Sequence, residues 1–188
     1  WCNKNVWSRL MGIPTLISTA TASNVASVSI TSGIDSTYDE YMFVMTDVNP
    51  ATDGAHFQFQ VSTDGGSSYG VAKTTTYFDA THNEGDSVAQ MGYQAASDLA
   101  QSTSAQRLFA SIGNGSDECM AGILHLLQPS NTTFQKHFYA RTIAYQSSDR
   151  ATDTFIVGYV NTTSAVDAIQ FAMHDGNFDS VIQMYGIE

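Results

Sequence analysis

Ser68 is the residue whose surroundings come nearest to a catalytic motif. It is the central serine of "GSSYG" (66–70), which matches the GxSxG pattern of a hydrolase nucleophile. That geometry requires a strand before the serine and a helix directly after it. Here segment 71–78 follows, and its valine, threonines and aromatic residues favour a strand. We therefore predict that Ser68 is not a nucleophile and that the chain has no hydrolase activity.

A structural turn explains the same residues better. "STDGGSSY" (62–69) resembles the Asp box, Ser-x-Asp-x-Gly-x-Thr-aromatic, with a serine and a tyrosine in place of the usual threonine and tryptophan. In this hairpin we expect the Asp side chain to accept bonds from backbone N–H groups, the two glycines to adopt positive φ, and the tyrosine to pack beneath the turn. In sialidases the box recurs several times and is not catalytic, so one copy implies no glycosidase. The predicted turn residues are Ser62, Asp64, Gly65, Gly66, Ser68 and Tyr69.

Acidic residues cluster in two segments that could supply oxygen ligands to calcium. They are Asp35, Asp39 and Glu40 in 34–41, and Asp47 and Asp53 in 46–54. Their spacing fits no EF-hand, and turns in which an Asp side chain bonds nearby backbone groups explain them equally well. Bound calcium is the lesser alternative. No pair of carboxylates is singled out for glycoside hydrolysis.

The five histidines and two cysteines have no metal-binding spacing. The histidines are isolated from one another, without an HExxH or HxH pattern. Cys2 and Cys119 lie in no CxxC pair, so a zinc site is unsupported, and a disulfide between them is left open. We expect no metal, no cofactor and no catalytic residue.

The composition favours strands as the elements that position these residues. Only 13% of the residues are charged, whereas Ser and Thr together supply 41 of 188. Thr fits a pleated surface, and both hydroxyl residues compete with helix hydrogen bonds. Apolar and polar residues alternate in short segments separated by turn residues. We predict an all-β fold, an antiparallel β-sandwich of jelly-roll type with about 10–12 short strands and little helix. The candidate strands are 15–22, 25–30, 41–48, 55–62, 71–78, 88–94, 107–113, 119–128, 133–145, 154–160, 165–173 and 180–187, and segment 95–106 suits a short helix or a loop equally.

The chain divides into a short arm and one domain. Residues 14–188 show no compositional break and are predicted to form a single β-sandwich. Residues 1–13 differ, because they contain both tryptophans and two of the seven basic residues. Apolar and aromatic residues with Arg dominate interface energetics, so we predict that this arm docks on a partner surface, with packing against its own sandwich as the alternative. Its docking residues are Trp1, Val6, Trp7, Arg9, Leu10 and Met11.

The charge excludes some partners. Seven basic residues against 18 acidic ones give a formal charge of −11, which is the wrong sign for binding the phosphates of a nucleic acid. The basic residues also form no cluster in the sequence. We therefore expect no nucleic acid partner. No apolar segment approaches the roughly 20 residues of a membrane-spanning helix, so membrane insertion is not expected.

Several segments together resemble a known protein family. These are "GIDSTYDEY" (33–41), "NPATDG" (49–54), "DGGSSY" (64–69), "KHFYARTIAY" (136–145) and the ending "GNFDSVIQMYGI" (176–187). They are similar to virion-associated structural proteins of marine tailed bacteriophages, over a match from about residue 14 to the C-terminus. Ser180 stands where that family commonly has Gly, which affects a turn only.

The resemblance implies a non-enzymatic virion component on the particle exterior, of capsid-surface or tail-fibre type, and supplies no catalytic residues. Capsid decoration is slightly favoured over a tail-fibre domain. The expected partners are other virion proteins, either major capsid or tail subunits, and copies of the chain itself, with a host-surface glycan as a further candidate. The alternative is a carbohydrate-binding β-sandwich module that adheres to a receptor or glycan.

Overall fold

The computed structural model of the protein describes residues 12–146 and 148–188. This part of the chain forms twelve strands, all paired antiparallel, and contains no helix. No helix that could span a membrane is therefore found among these residues. The predicted all-β class is confirmed, as is the expected number of strands. The strands are β1 (Thr15–Val25), β2 (Ser27–Ile30), β3 (Glu40–Pro50), β4 (Ala55–Ser62), β5 (Lys73–Asn83), β6 (Ala89–Tyr93), β7 (Gln106–Ile112), β8 (Met120–Leu127), β9 (Lys136–Gln146), β10 (Arg150–Val160), β11 (Ala168–Met173) and β12 (Phe178–Ile187).

The strand order is that of a jelly roll. Strands β1, β12, β3 and β8 lie side by side in one sheet, and β2, β11, β4 and β7 in the other. The chain alternates between the two sheets at each step from β1 to β4, which is the connectivity of a jelly roll. The first sheet continues from β8 through β9, β10, β5 and β6, so the larger sheet has eight strands and the smaller sheet four. A single residue pair, Ile112 with Gln146, joins β7 to β9 and links the sheets along one side.

Aromatic side chains from both sheets fill the space between them. In β4, Phe57 and Phe59 are buried while the alternate polar residues are half-buried, as expected for a strand with one face on the core. The ring centroid of Phe171 lies 5.7 Å from that of Phe43 on the opposite sheet, and Phe59 lies 5.1 Å from Phe138. Full burial of each such side chain contributes about 1.5–3 kcal/mol, so these contacts stabilise the pairing of the two sheets.

The last strand lies inside the larger sheet. β12 is paired with β1 on one side and with β3 on the other. Ile182 and Met184 point into the core and are fully buried. The C-terminal strand is therefore interior to the fold.

Residues 94–105 form a loop that closes the sandwich between β6 and β7. Thr75 on β5 binds this loop, because its N–H donates to the Leu99 carbonyl and its Oγ1 accepts from the Leu99 N–H, both at 2.9 Å. Buried Gln106 accepts from the Thr75 hydroxyl at 2.6 Å and donates to the Ser97 carbonyl at 2.9 Å. Of the two conformations expected for this segment, a short helix or a loop, the structure has the loop, and hydrogen bonds hold it in place.

Candidate functional site

The turn predicted at 62–69 has the expected internal hydrogen bonds. Asp64 accepts the Ser62 hydroxyl at 2.6 Å, the Ser68 hydroxyl at 2.6 Å and the Ser68 N–H at 2.9 Å. Hydrogen bonds from Ser62 and then Ser68 lower the pKa of Asp64 to about 2. Gly65 and Gly66 have φ of 70° and 84°, values that glycine adopts without strain.

Tyr69 lies beneath this turn, as expected. A Cβ atom added to Gly66 would lie 2.9 Å from the Tyr69 hydroxyl oxygen. The turn is not a hairpin, however, which corrects that part of the interpretation. It follows β4 in the smaller sheet and leads to β5 in the larger one, and these two strands are not paired. The Ser68 hydroxyl is bonded to a carboxylate and not to a histidine.

The predicted docking residues lie outside the described residues, because the description begins at Gly12. Gly12 lies beside the C-terminal residue, since a Cβ atom added to it would be 2.9 Å from the Glu188 nitrogen. The next residue, Ile13, is 82% exposed. Gly12 and Ile13, the last two residues of the predicted arm, therefore lie at the end of the larger sheet where β1 and β12 meet.

The acidic and histidine residues form pairs rather than clusters. The Asp35 carboxylate accepts the Thr37 N–H at 2.8 Å, which makes a local turn, and these bonds to Thr37 lower its pKa. His125 pairs with Glu40 across β8 and β3. Over residues 12–146 and 148–188, no group of three or more His, Cys, Asp or Glu side chains converges on one point.

Two lysines are fully buried at one end of the larger sheet. Lys73 and Lys136 flank Val160, one on each neighbouring strand. The Lys73 ammonium donates to the Val71 carbonyl at 3.0 Å, and that of Lys136 to two loop carbonyls at 3.1 and 3.3 Å. Burial lowers the pKa of both groups, that of Lys73 to about 8. These contacts fasten loops to the sheet and place no reactive partner beside either amine.

The outer side of the larger sheet has exposed apolar side chains, and we call it the apolar face. It comprises Ile123, Tyr139, Ile143, Val157, Met91 and Tyr93, which are 38–76% exposed. Between them the Phe78 and Phe155 rings stack at 5.0 Å, and the Arg141 guanidinium lies 5.0 Å from the centroid of Phe155. Asp153 binds Arg141 at 2.7 Å and neutralises its charge. An open groove of about 610 Å³, lined largely by alanines and by Ile143, lies at one end of this face.

The outer side of the smaller sheet instead has a polar cleft of about 430 Å³. One wall is β4 and the start of β7, and the other is the loop 94–105. Its lining side chains include two amides, a guanidinium, a carboxylate and an imidazole. We use the name polar cleft for the space between Gln58, Gln60, Ser97, Asp98, Arg107 and His174.

Hydrogen bonds fix the walls of the polar cleft but leave its amides unbound. Arg107 Nη1 donates to the Ala96 carbonyl at 3.1 Å, and Asp98 accepts the Tyr93 hydroxyl. The side chains of Gln58 and Gln60 make no hydrogen bond to any residue that the structure describes. The cleft therefore presents donors and acceptors that the fold itself does not use.

An imidazole pair extends the polar cleft along the sheet. The rings of His56 and His174 lie 5.6 Å apart. His56 Nδ1 accepts the Ser111 N–H at 3.1 Å, so Nε2 carries the proton of the neutral ring. Burial lowers the pKa of His56, with smaller contributions from Arg107 and His174. At neutral pH this ring is an uncharged hydrogen-bond donor.

The sequence pattern indicated part of this cleft but did not single it out. Alternation in "AHFQFQVS" places His56, Gln58 and Gln60 on the wet face of one strand, and amides are bulkier and more versatile than the Ser and Thr found elsewhere. The loop residues Ser97 and Asp98 are about 40 positions away in sequence, and no local pattern joins them to β4.

Comparisons of the chain with protein-family models, with curated proteins and with solved structures return no match in any of the three.

Proposed function

We propose that the chain is a non-enzymatic structural protein on the exterior of a bacteriophage particle, with capsid decoration favoured over a tail-fibre domain. The jelly roll supports this proposal, because viral capsid domains use that architecture, although lectin domains and cupins use it too. The resemblance of segments such as 33–41 and 136–145 to virion proteins points the same way.

The apolar face is the observation that carries the proposal furthest. A particle protein must bury a surface against its neighbours, and interface centres are depleted of charge. The chain carries 18 acidic residues, yet the centre of this face presents Ile143, Val157 and Tyr139, and its Arg141 is paired with Asp153. We infer that a capsid or tail subunit covers it, with further contacts to copies of the chain.

Particle composition tests the proposal directly. Quantitative mass spectrometry of purified particles should find the chain at hundreds of copies if it decorates the capsid, and at tens or fewer if it belongs to a fibre. Immunogold labelling of intact particles should place it on the outside. Its absence from particles would overturn the proposal in favour of the alternative, a carbohydrate-binding module of cellular origin.

A charge placed on the apolar face tests the mode of attachment. Ile143→Lys should weaken binding of the purified chain to particles that lack it by tenfold or more, because a lysine would be desolvated at the contact. Ser27→Lys, on an exposed position of β2 in the smaller sheet, is the matched control and should bind normally. Circular dichroism should be the same for both variants. Equal binding by both would remove this face from the attachment.

A further inference from the structure

Side chains in the polar cleft carry hydrogen-bond donors and acceptors that have no partner among the described residues. Gln58 and Gln60 each offer an N–H₂ group and a carbonyl oxygen with no partner among the described residues. Among the described residues, Arg107 makes hydrogen bonds only through Nη1, which leaves Nε and Nη2 available. Half-buried polar groups without protein partners are the features that a ligand site presents before its ligand arrives.

The cleft is also preformed. The loop 94–105 is held to β5 through Thr75 and to β7 through Gln106, with four hydrogen bonds of 2.6–2.9 Å. Gln58 and Gln60 project from a strand that is paired on both sides, with β7 and β11. Neither wall needs to reorganise to receive a ligand, so binding would avoid the cost of ordering a loop.

The charges in the cleft match a neutral ligand. Arg107 and Asp98 supply one charge of each sign, and the neighbouring His56 is uncharged at neutral pH. A phosphate or nucleic acid would need a cluster of cations, which the cleft does not offer. Amide side chains donate and accept at once, so they suit a ligand whose neighbouring groups also do both, as the hydroxyls of a sugar do.

We propose that this polar cleft binds an uncharged glycan, with the side chains of Gln58 and Gln60 on the sugar hydroxyls and Arg107 as an additional donor. The proposal goes beyond the particle role and does not depend on it, since either a virion protein or a cellular module can carry such a site. On a particle, a chain attached through Ile143 and Val157 would leave Gln58 and Gln60 uncovered, because these two pairs of residues lie on the outer sides of opposite sheets.

A peptide is the competing ligand, since its backbone amides also donate and accept. Peptides bind sheets by adding a strand to a free edge, or by placing an apolar anchor in a pocket. β4 is paired on both sides from Phe57 to Phe59, and the side chains that face the cleft from this strand and from the start of β7, Gln58, Gln60 and Arg107, are polar. These features favour the glycan.

The experiment uses the purified full chain on a printed array of neutral and acidic oligosaccharides, followed by calorimetric titration with the best-bound sugar. Gln58→Ala with Gln60→Ala should weaken binding at least tenfold, because both amides lose their hydrogen bonds to the sugar hydroxyls. Gln183→Ala makes the same change on β12 in the opposite sheet and should bind like the unaltered chain. The Gln58→Ala, Gln60→Ala variant should keep the melting temperature of the unaltered chain, since neither amide makes a hydrogen bond to another described residue.

Three outcomes would overturn the inference. They are no binding to any oligosaccharide, equal binding by the cleft variant, and preferential binding of a random peptide array through the same two amides. Selective binding of acidic sugars would overturn the claim that the ligand is uncharged. None of these results bears on whether the chain is found in particles, so the two proposals fail separately.

Discussion

At the scale of single residues, the turn after β4 shows how one carboxylate can organise a connection. Asp64 is exposed, yet it binds groups of both Ser62 and Ser68. The Ser62 hydroxyl in turn accepts the Gly66 N–H at 2.9 Å, and Asp167 accepts the Gly65 N–H at 2.9 Å. The turn is therefore tied both to itself and to the segment before β11. Its role is to set the direction of the chain between the two sheets.

Replacing Asp64 by Asn should lower the melting temperature by a few degrees, because the Asn amide nitrogen cannot accept the hydroxyl that Asp64 Oδ2 accepts. The folded-state pKa of Asp64 is depressed to about 2, so its stabilising contribution is present above the unfolded value near 3.8 and is lost as the pH falls towards 2. The difference in melting temperature from the unaltered chain should therefore shrink below pH 4. Calorimetric scans between pH 2 and 7 measure it.

Asp53→Asn is the control for this prediction, because Asp53 is an exposed residue of the loop before β4. It should melt at nearly the same temperature as the unaltered chain across the range. If Asp64→Asn and Asp53→Asn behave alike at pH 7, the carboxylate does not organise the turn.

At the scale of elements, β12 ties the two ends of the described chain together. It lies between β1 and β3, so its removal would leave two neighbours unpaired at once. Exposed ladders of this kind promote aggregation. The strand is therefore a cooperative part of the fold and not an appendage.

Removing residues 180–188 should abolish cooperative unfolding or leave the protein insoluble. Met184→Ala tests the same contact with less damage, and it should cost about 2–5 kcal/mol because a fully buried side chain is truncated. Gln183→Ala, half-buried on the opposite side of the same strand, should cost about 0.5 kcal/mol or less. Urea unfolding followed by circular dichroism measures both. Similar costs for the two variants would contradict an interior position.

Strand positions were predictable from the sequence, whereas strand partners were not. The predicted segment 55–62 coincides with β4, and each of the other eleven overlaps one strand, because period-two alternation is a local property. Segment 62–69 was interpreted as a hairpin turn, yet it connects strands in different sheets. The residues of a turn determine where the chain changes direction. Which strand pairs with which depends instead on contacts between residues that are remote in sequence. The polar cleft was missed for that reason, since Gln58 meets Ser97 only through the fold.

At the scale of the whole molecule, the two outer surfaces differ in chemistry. The larger sheet exposes apolar side chains with a neutralised arginine, whereas the smaller sheet exposes amides, imidazoles and hydroxyls. A protein that attaches by one side and meets a soluble ligand with the other requires such a division. Of the predicted arm, Gly12 and Ile13 are described, and Gly12 lies beside Glu188 where β1 and β12 meet.

Deleting residues 1–13 should therefore leave the sandwich folded while weakening self-association and particle binding. β1 begins at Thr15, so no strand is shortened, and the melting temperature should stay within a few degrees of that of the full chain. The arm contains Lys4 and Arg9 and no acidic residue, whereas the other 175 residues hold all 18 acidic residues and five basic ones. The arm therefore suits docking on an acidic copy of the chain or on an acidic neighbour. The resemblance to virion proteins makes a symmetric trimer the expected assembly.

Sedimentation velocity of the deleted chain measures its self-association, and co-sedimentation with particles measures its particle binding. Trp7→Ala should reproduce part of the loss, and Ser8→Ala should not. If the deleted chain assembles and attaches normally but melts well below the full chain, the arm belongs to its own sandwich and the anchor lies elsewhere.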